Sequence, residues 1–210
     1  MISPSTGHVR YELFVEAMGK LKEAALLMII GNILASIGTV SILPALVTGY
    51  HGLGIGLISG AAAIVGLIII LIALYMHVVP SFELLRDYKP SEYSTAATLV
   101  RIGYVWGAIL LIVGIVTLII LIGAVLLLIG IILLLLGKIG IIIGMFQINS
   151  ETGESMFLVA GILFIIGLFV PFLSFIGWIL IYIAADSAIA RIKEKIGSQP
   201  STSPESTDFI

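Results

Sequence analysis

Long apolar runs joined by short polar stretches dominate the chain. Residues 24–47 (AALLMIIGNILASIGTVSILPALV) and 53–79 (LGIGLISGAAAIVGLIIILIALYMHVV) each exceed the roughly 20 apolar residues that carry a helix across a bilayer. Thr48, Gly49, Tyr50 and His51 separate them, and PSFELLRDYKPSEYSTAAT follows, punctuated by Pro80 and Pro90. From Ile102 to Asn149 the chain is almost wholly apolar. As a single helix this stretch would measure about 70 Å, more than twice the hydrocarbon thickness, so it must fold back on itself. Gly123, near its middle, is the expected turn. Residues 156–185 pose a milder version of the same question: one long helix kinked at Pro171, or two short spans turning at Pro171–Ser174.

The basic residues decide between five spans and six. Arg10, Lys20 and Lys22 precede the first run; Arg86, Lys89 and Arg101 lie between the second and third; Arg191, Lys193 and Lys195 follow the last. Cytoplasmic segments collect Lys and Arg, and six spans place all three groups on one side. The expected fold is therefore all-α: a polytopic transmembrane helical bundle of six spans as three hairpins. The spans are 24–47, 53–79, 102–122, 125–148, 154–170 and 173–190, within a transmembrane domain of residues 24–196. This is a multi-pass protein of the cell membrane with both termini cytoplasmic. Tyr50, Phe169, Phe172, Phe175 and Trp178 are expected near the outer interface. Tyr75, Tyr104, Trp106, Phe146 and Phe157 are expected near the inner one.

Ahead of the first span, Val9, Leu13, Phe14, Ala17, Met18 and Leu21 recur at helical spacing opposite Arg10, Glu12, Glu16, Lys20 and Glu23. Residues 9–23 thus read as an amphipathic cytoplasmic helix that lies on the inner surface or docks on another part of the protein. Residues 1–8 read as a flexible N-terminus, and no basic region followed by an apolar core marks a signal peptide. The Ser/Thr/Pro-rich residues 197–210 read as a disordered tail.

Composition narrows the function. Sixty per cent of the residues are hydrophobic and ten per cent charged, too little polar surface for a soluble domain. Cysteine is absent, which excludes disulfides, iron–sulfur clusters and thiolate zinc sites. His8, His51 and His77 lie on different segments, so no metal site is expected. The few basic residues make no nucleic-acid surface. GLISG at 56–60 is a poor match to an intramembrane serine-protease motif, since Leu57 stands where glycine is needed. No Walker loop or dinucleotide fingerprint appears. The expectation is a non-enzymatic protein without cofactors.

The one charge between Arg101 and Glu151 is Lys138, set in LLLIGIILLLLGKIGIIIG. A mid-span lysine costs roughly 3 kcal/mol on insertion scales and faces protein or a water-filled cavity. It is either a structural or span-boundary residue, or part of an anion-binding or proton-linked site. Asn32, at similar depth in the first span, is the candidate partner, its amide oxygen accepting from the ammonium. Small residues mark helix packing: Gly130, Gly137 and Gly144 at heptad spacing, Gly107 and Gly114, Gly31, Ala35 and Gly38, and Gly56 with Gly60. They serve contacts within the monomer or a homo-oligomer interface. Arg86, Lys89, Arg191, Lys193 and Lys195 are candidates for anionic lipid headgroups.

The opening FVEAMGKLKEAALLMIIGNIL, the Ile/Leu/Gly runs of spans three and four, and GILFIIGLFVPFLSFIGWILIYIA together resemble an archaeal multi-pass membrane family of unknown function, domain of unknown function 973. The likeness covers most of residues 9–196. It implies a membrane protein and carries no assigned activity or site. The expected function is a membrane scaffold, accessory or oligomer-forming component, with membrane lipids and a homo-oligomeric or other membrane-protein partner. The alternative is a small oligomeric transporter or channel using Lys138 and Asn32.

Overall fold

In the computed structural model, residues 4–47, 50–118 and 122–197 are described, with side-chain surroundings for residues 10–39, 57–118 and 122–194. They form six helices. Helix α1 is Pro4–Val47; α2 joins Tyr50–Ile72, Ala73–Val78 and Val79–Tyr88 without a break; α3 joins Pro90–Arg101, Ile102–Trp106 and Gly107–Val116. Helix α4 is Ile122–Thr152, α5 is Ser155–Ile166 and α6 is Pro171–Gly197. Consecutive helices pair as three hairpins, and the start of α1 and the end of α6 lie at one end of the bundle, which also carries most of the charge of the described residues. Among the described residues five helices are long and apolar enough to cross a membrane, and the twelve-residue α5 is a shorter apolar one. The chain is an integral membrane helical bundle.

The amphipathic stretch takes one of its two expected forms, and the polar connection differs from expectation. Residues 9–23 run straight into the first span as one helix, and residues 4–8 are helical too. Residues 80–88 and 90–101, expected as a connection, continue α2 and α3, leaving Lys89 as the only joint. Lys89 is extended (φ −142°, ψ 85°), as the residue before a proline tends to be. These extensions supply a protein surface, so the apolar stripe of α1 docks on protein. Phe14, Met18 and Leu21 have no exposure, and neither do Phe82, Leu85 or Tyr93 of α2 and α3. Met145, Phe157 and Ile181 complete this core at the charged end. The tail residues 198–210 lie outside the described residues.

Pro80 is tolerated inside α2 for a local reason. It lacks an N–H, and its ring would press on the carbonyl four residues back. The helix widens just before it: Ala73–Val78 is π-helical, and the Val79 N–H bonds Leu74 O, five residues back. Helix α3 carries a matching π segment, Ile102–Trp106. The two meet where the Tyr75 hydroxyl donates to Tyr104 O at 3.2 Å and Val105 O at 3.3 Å.

Backbone contact at glycine joins each long hairpin. A methyl built on Gly66 would lie 2.5 Å from Ala35 N and 2.7 Å from Gly31 O, so α1 and α2 meet main chain to main chain. Gly38 abuts Ala63 and Ser59 from the other side of the same seam. In the second hairpin Gly107 and Gly114 face Leu134 and Leu127 of α4, while Gly130 faces Gly107 and Leu111, and Gly137 faces Tyr104. Gly144 lies against the Phe82 ring of α2. Three glycines not singled out from sequence, Gly66, Gly103 and Gly140, sit in these seams. Gly60 does not: nothing lies within 4 Å of a methyl built there. The surroundings of Gly56 lie outside the described residues.

The turns also differ in position. Helix α3 ends at Val116 and α4 starts at Ile122, so the turn precedes Gly123. Gly123 instead falls in the first turn of α4, where a methyl would run into the Thr117 and Leu118 backbone. Between α5 and α6 the turn is Gly167–Val170, and Pro171 opens α6, where a missing N–H costs nothing. At twelve residues α5 is about 18 Å long, so this hairpin is the shortest of the three. Above its tip the two long hairpins make at most glancing contact with each other.

The seam geometry makes a paired prediction. Gly66→Ala should cost about 1–3 kcal/mol by forcing α1 and α2 apart, lowering the unfolding midpoint in detergent. Gly60→Ala should leave that midpoint unchanged or raise it slightly, since alanine is the better helix former. Equal midpoints for the two variants would refute the assignment of the seam.

Candidate functional site: a lysine at a helix end inside the membrane

Helix α5 stops inside the apolar zone, and the last carbonyl groups of any helix lack intrahelical donors. In hydrocarbon no water supplies them, so protein must. The Gly167 N–H turns back to Leu163 O at 2.7 Å, and the next turns are closed by Leu168, Phe169 and Val170 bonding to Ile165 and Ile166. The Gly167 carbonyl points instead to α4. There Lys138 Nζ donates to Gly167 O at 3.2 Å and to Ser174 Oγ at 2.9 Å. Ser174 Oγ also donates to Gly167 O at 3.3 Å. A cation at a helix C-terminus is favoured by the helix dipole as well. Gly167 has no room for a side chain, because a methyl there would strike Ser174 Oγ.

Lys138 is not a boundary residue. It lies 16 residues beyond Ile122, about 24 Å below the tip of its own hairpin, and 13 residues above Glu151, about 20 Å. The short hairpin therefore turns near the depth of Lys138, well below the long tips. This corrects the expected aromatic belt. Phe169 and Phe172 sit at that mid-depth turn, and Trp178 packs on Phe164 (ring centroids 5.1 Å apart) in the core.

Asn32 and Lys138 share a wall but not a hydrogen bond. Both line a cavity of about 400 Å³ where the three hairpins meet, with Leu74, Tyr104, Leu135 and Trp178 among its other walls. The Asn32 amide donates to Met28 O of its own helix at 2.7 Å. The partners of Lys138 are Ser174, which the sequence placed in the expected turn at Pro171–Ser174, and Gly167, which it placed within the fifth span. Their one signal was the small polar serine three residues after Pro171. No acidic residue lines the cavity.

Three of the five headgroup candidates at the charged end have acidic partners within the chain. Arg86 pairs with Asp87 at 3.4 Å. Arg191 pairs with Glu154 at 3.1 Å and donates to Gly153 O at 2.9 Å, fixing the α4–α5 turn, where Gly153 takes the positive φ of 71° that favours glycine. Lys89 pairs with Glu151, which also accepts from the Tyr88 hydroxyl at 3.1 Å, and with Glu92 at 3.5 Å. Burial lowers the Lys89 pKa, but the hydrogen bond and charge of Glu151 outweigh it, holding the ammonium above the ordinary lysine value. This raised pKa means its ion pair is intact at neutral pH and lost only as pH climbs through the alkaline range. Lys193 is exposed, and the Lys195 side chain lies outside the described residues. No group of three or more potential metal ligands occurs among the described residues.

Replacing Lys138 by Met should leave the Gly167 carbonyl only the long Ser174 hydroxyl bond, 3.3 Å, and cost about 1 kcal/mol. Lys138→Gln, which still offers N–H donors, should recover much of that. Thermal unfolding in detergent followed by circular dichroism checks both. Indistinguishable Met, Gln and native midpoints would rule out the capping role.

A family model described as "Protein of unknown function (DUF973)" matches residues 15–209. No curated protein and no solved structure matches the chain. Because the family match takes in α2 to α6 whole and most of α1, the chain belongs to the DUF973 family.

Proposed function

We propose that this protein is a non-enzymatic component of the cell membrane, a scaffold or accessory subunit that presents its two long hairpins to neighbours in the bilayer. The observation that carries this reading is the separation of those hairpins. Each is closed internally at glycine, the core binds them from the charged end up to the level of Tyr75 and Tyr104, and above it large apolar side chains are left uncovered. Ile58 is 75% exposed, Leu67 55%, Ile112 60% and Leu128 60%. Helix association in lipid depends on close packing, and such faces offer contact to a second copy or to another membrane protein. Both termini are assigned to the cytoplasm because the basic residues gather at their end of the bundle.

A second reading, a small transporter or channel, is favoured by one observation: Lys138 and Asn32 line the same cavity. Intramembrane polar residues facing a cavity often mark a path.

The cysteine-free chain makes both readings testable. Single cysteines at Leu67, Ile112 and Leu128, treated in native membranes with a bismaleimide, should yield discrete cross-linked species at one or more positions. Monomer at every position would end the scaffold reading. For the transporter reading, Asn32→Cys in sealed vesicles should react with a membrane-impermeant thiol reagent. If it stays unlabelled while the exposed control Ser91→Cys reacts, that reading is abandoned.

A further inference from the structure

Lys138 has more donor capacity than its cap requires. An ammonium carries three N–H donors. Two are taken by Gly167 O and Ser174 Oγ, and the third has no protein acceptor among the described residues. Both partners are neutral. The cavity beside the ammonium is about 400 Å³, holds no acidic side chain, and is walled chiefly by apolar groups. At a low effective dielectric, a cation held against neutral dipoles attracts an anion at contact distance more strongly than it would in water. The cap thus leaves a fixed positive charge facing a space large enough for a headgroup.

Asn32 and Pro171 also line a second cavity, of about 440 Å³, running between α1 and the start of α6. Its other walls include Ile33, Ile37, Phe172 and Phe175. Ile33 is 45% exposed and Phe172 67%, so this groove opens to the lipid. The Lys138 pocket and an apolar groove thus adjoin at Asn32 and Pro171.

We propose that these two adjoining cavities together bind an anionic amphiphile, with its carboxylate or phosphate head on Lys138 and its acyl chain in the groove between α1 and α6. The site selects by head charge, because an anion both accepts the third N–H and neutralises the ammonium, and by the presence of a chain, because the groove contributes apolar contact. This goes beyond the scaffold reading and does not depend on it.

Trp178 reports on the site. The chain has two tryptophans, and Trp178, only 6% exposed, lines the Lys138 cavity, whereas Trp106 is 57% exposed on α3. In full-length Trp106→Phe protein in detergent, a fatty acid brominated along its chain should quench Trp178 saturably. A brominated phosphatidylcholine should do so with about tenfold weaker apparent affinity. Acetate and inorganic phosphate, which offer a head without a chain, should not displace the brominated fatty acid at matched concentration. Lys138→Gln, which keeps N–H donors for the cap but lacks the charge, should lose the preference for the anionic probe. Equal quenching by anionic and zwitterionic probes in the native protein would overturn the proposal, and so would a folded Lys138→Gln variant with its selectivity unchanged. Displacement by inorganic phosphate alone would refute the role of the groove. Should Lys138→Gln fail to fold, the anionic-against-zwitterionic comparison in the Trp106→Phe protein still decides.

Discussion

A helix that ends within hydrocarbon leaves carbonyl groups that nothing but protein can satisfy, and in this protein that requirement falls on Lys138. Its ammonium meets the Gly167 carbonyl at the end of α5, with the Ser174 hydroxyl bridging the turn. This contact is the turn's polar link to the neighbouring hairpin, since the Ser174 hydroxyl donates only within the turn. The hairpin stops halfway up the bundle, and the cavity lies beside its tip. The cost of placing a lysine in a span is offset because the same residue removes the cost of an unsatisfied helix end.

The short hairpin shapes the rest. At the charged end all six helices share one core, built from large side chains such as Phe14, Phe82, Tyr93 and Phe157. Further up, α5 and its partner stop, and only the two long hairpins continue. There the stabilisation changes in kind. Lipid tails are as apolar as leucine, so burying leucine gains little, and close approach at Gly31, Gly66, Gly103 and Gly137 takes over. The ion pairs at the base, Arg191 with Glu154 and Lys89 with Glu151, hold the joints between helices in the zone where water begins.

These two regimes suit different tasks. A rigid base with separate hairpins above it offers apolar faces for membrane partners, which is the basis of the scaffold proposal. At the junction between the regimes a charge, a cavity and an apolar groove coincide, which is the basis of the proposed amphiphile site. The two proposals use different surfaces, so neither stands in for the other.

Much of this was legible in the chain itself. Run length and the clustering of Arg and Lys were enough for a helical membrane bundle of three hairpins, because bilayer thickness and charge asymmetry act on local sequence. Depth and partnership were not legible. Lys138 could be recognised as costly, yet its acceptors lie 29 and 36 residues away on a turn whose height depends on how far α5 climbs. The amphipathic stripe of residues 9–23 was visible, but whether lipid or protein covers it depends on residues 80–101 being helical, which their polar, proline-marked sequence obscured. Glycine spacing indicated close packing, but Gly66 occupies the seam while Gly60 faces open space, because the rotation of one helix against another is set by the whole interface. Periodicity is a property of a segment and can be read along it. Which face meets which neighbour is a property of the assembled helices, and it exists only once they pack.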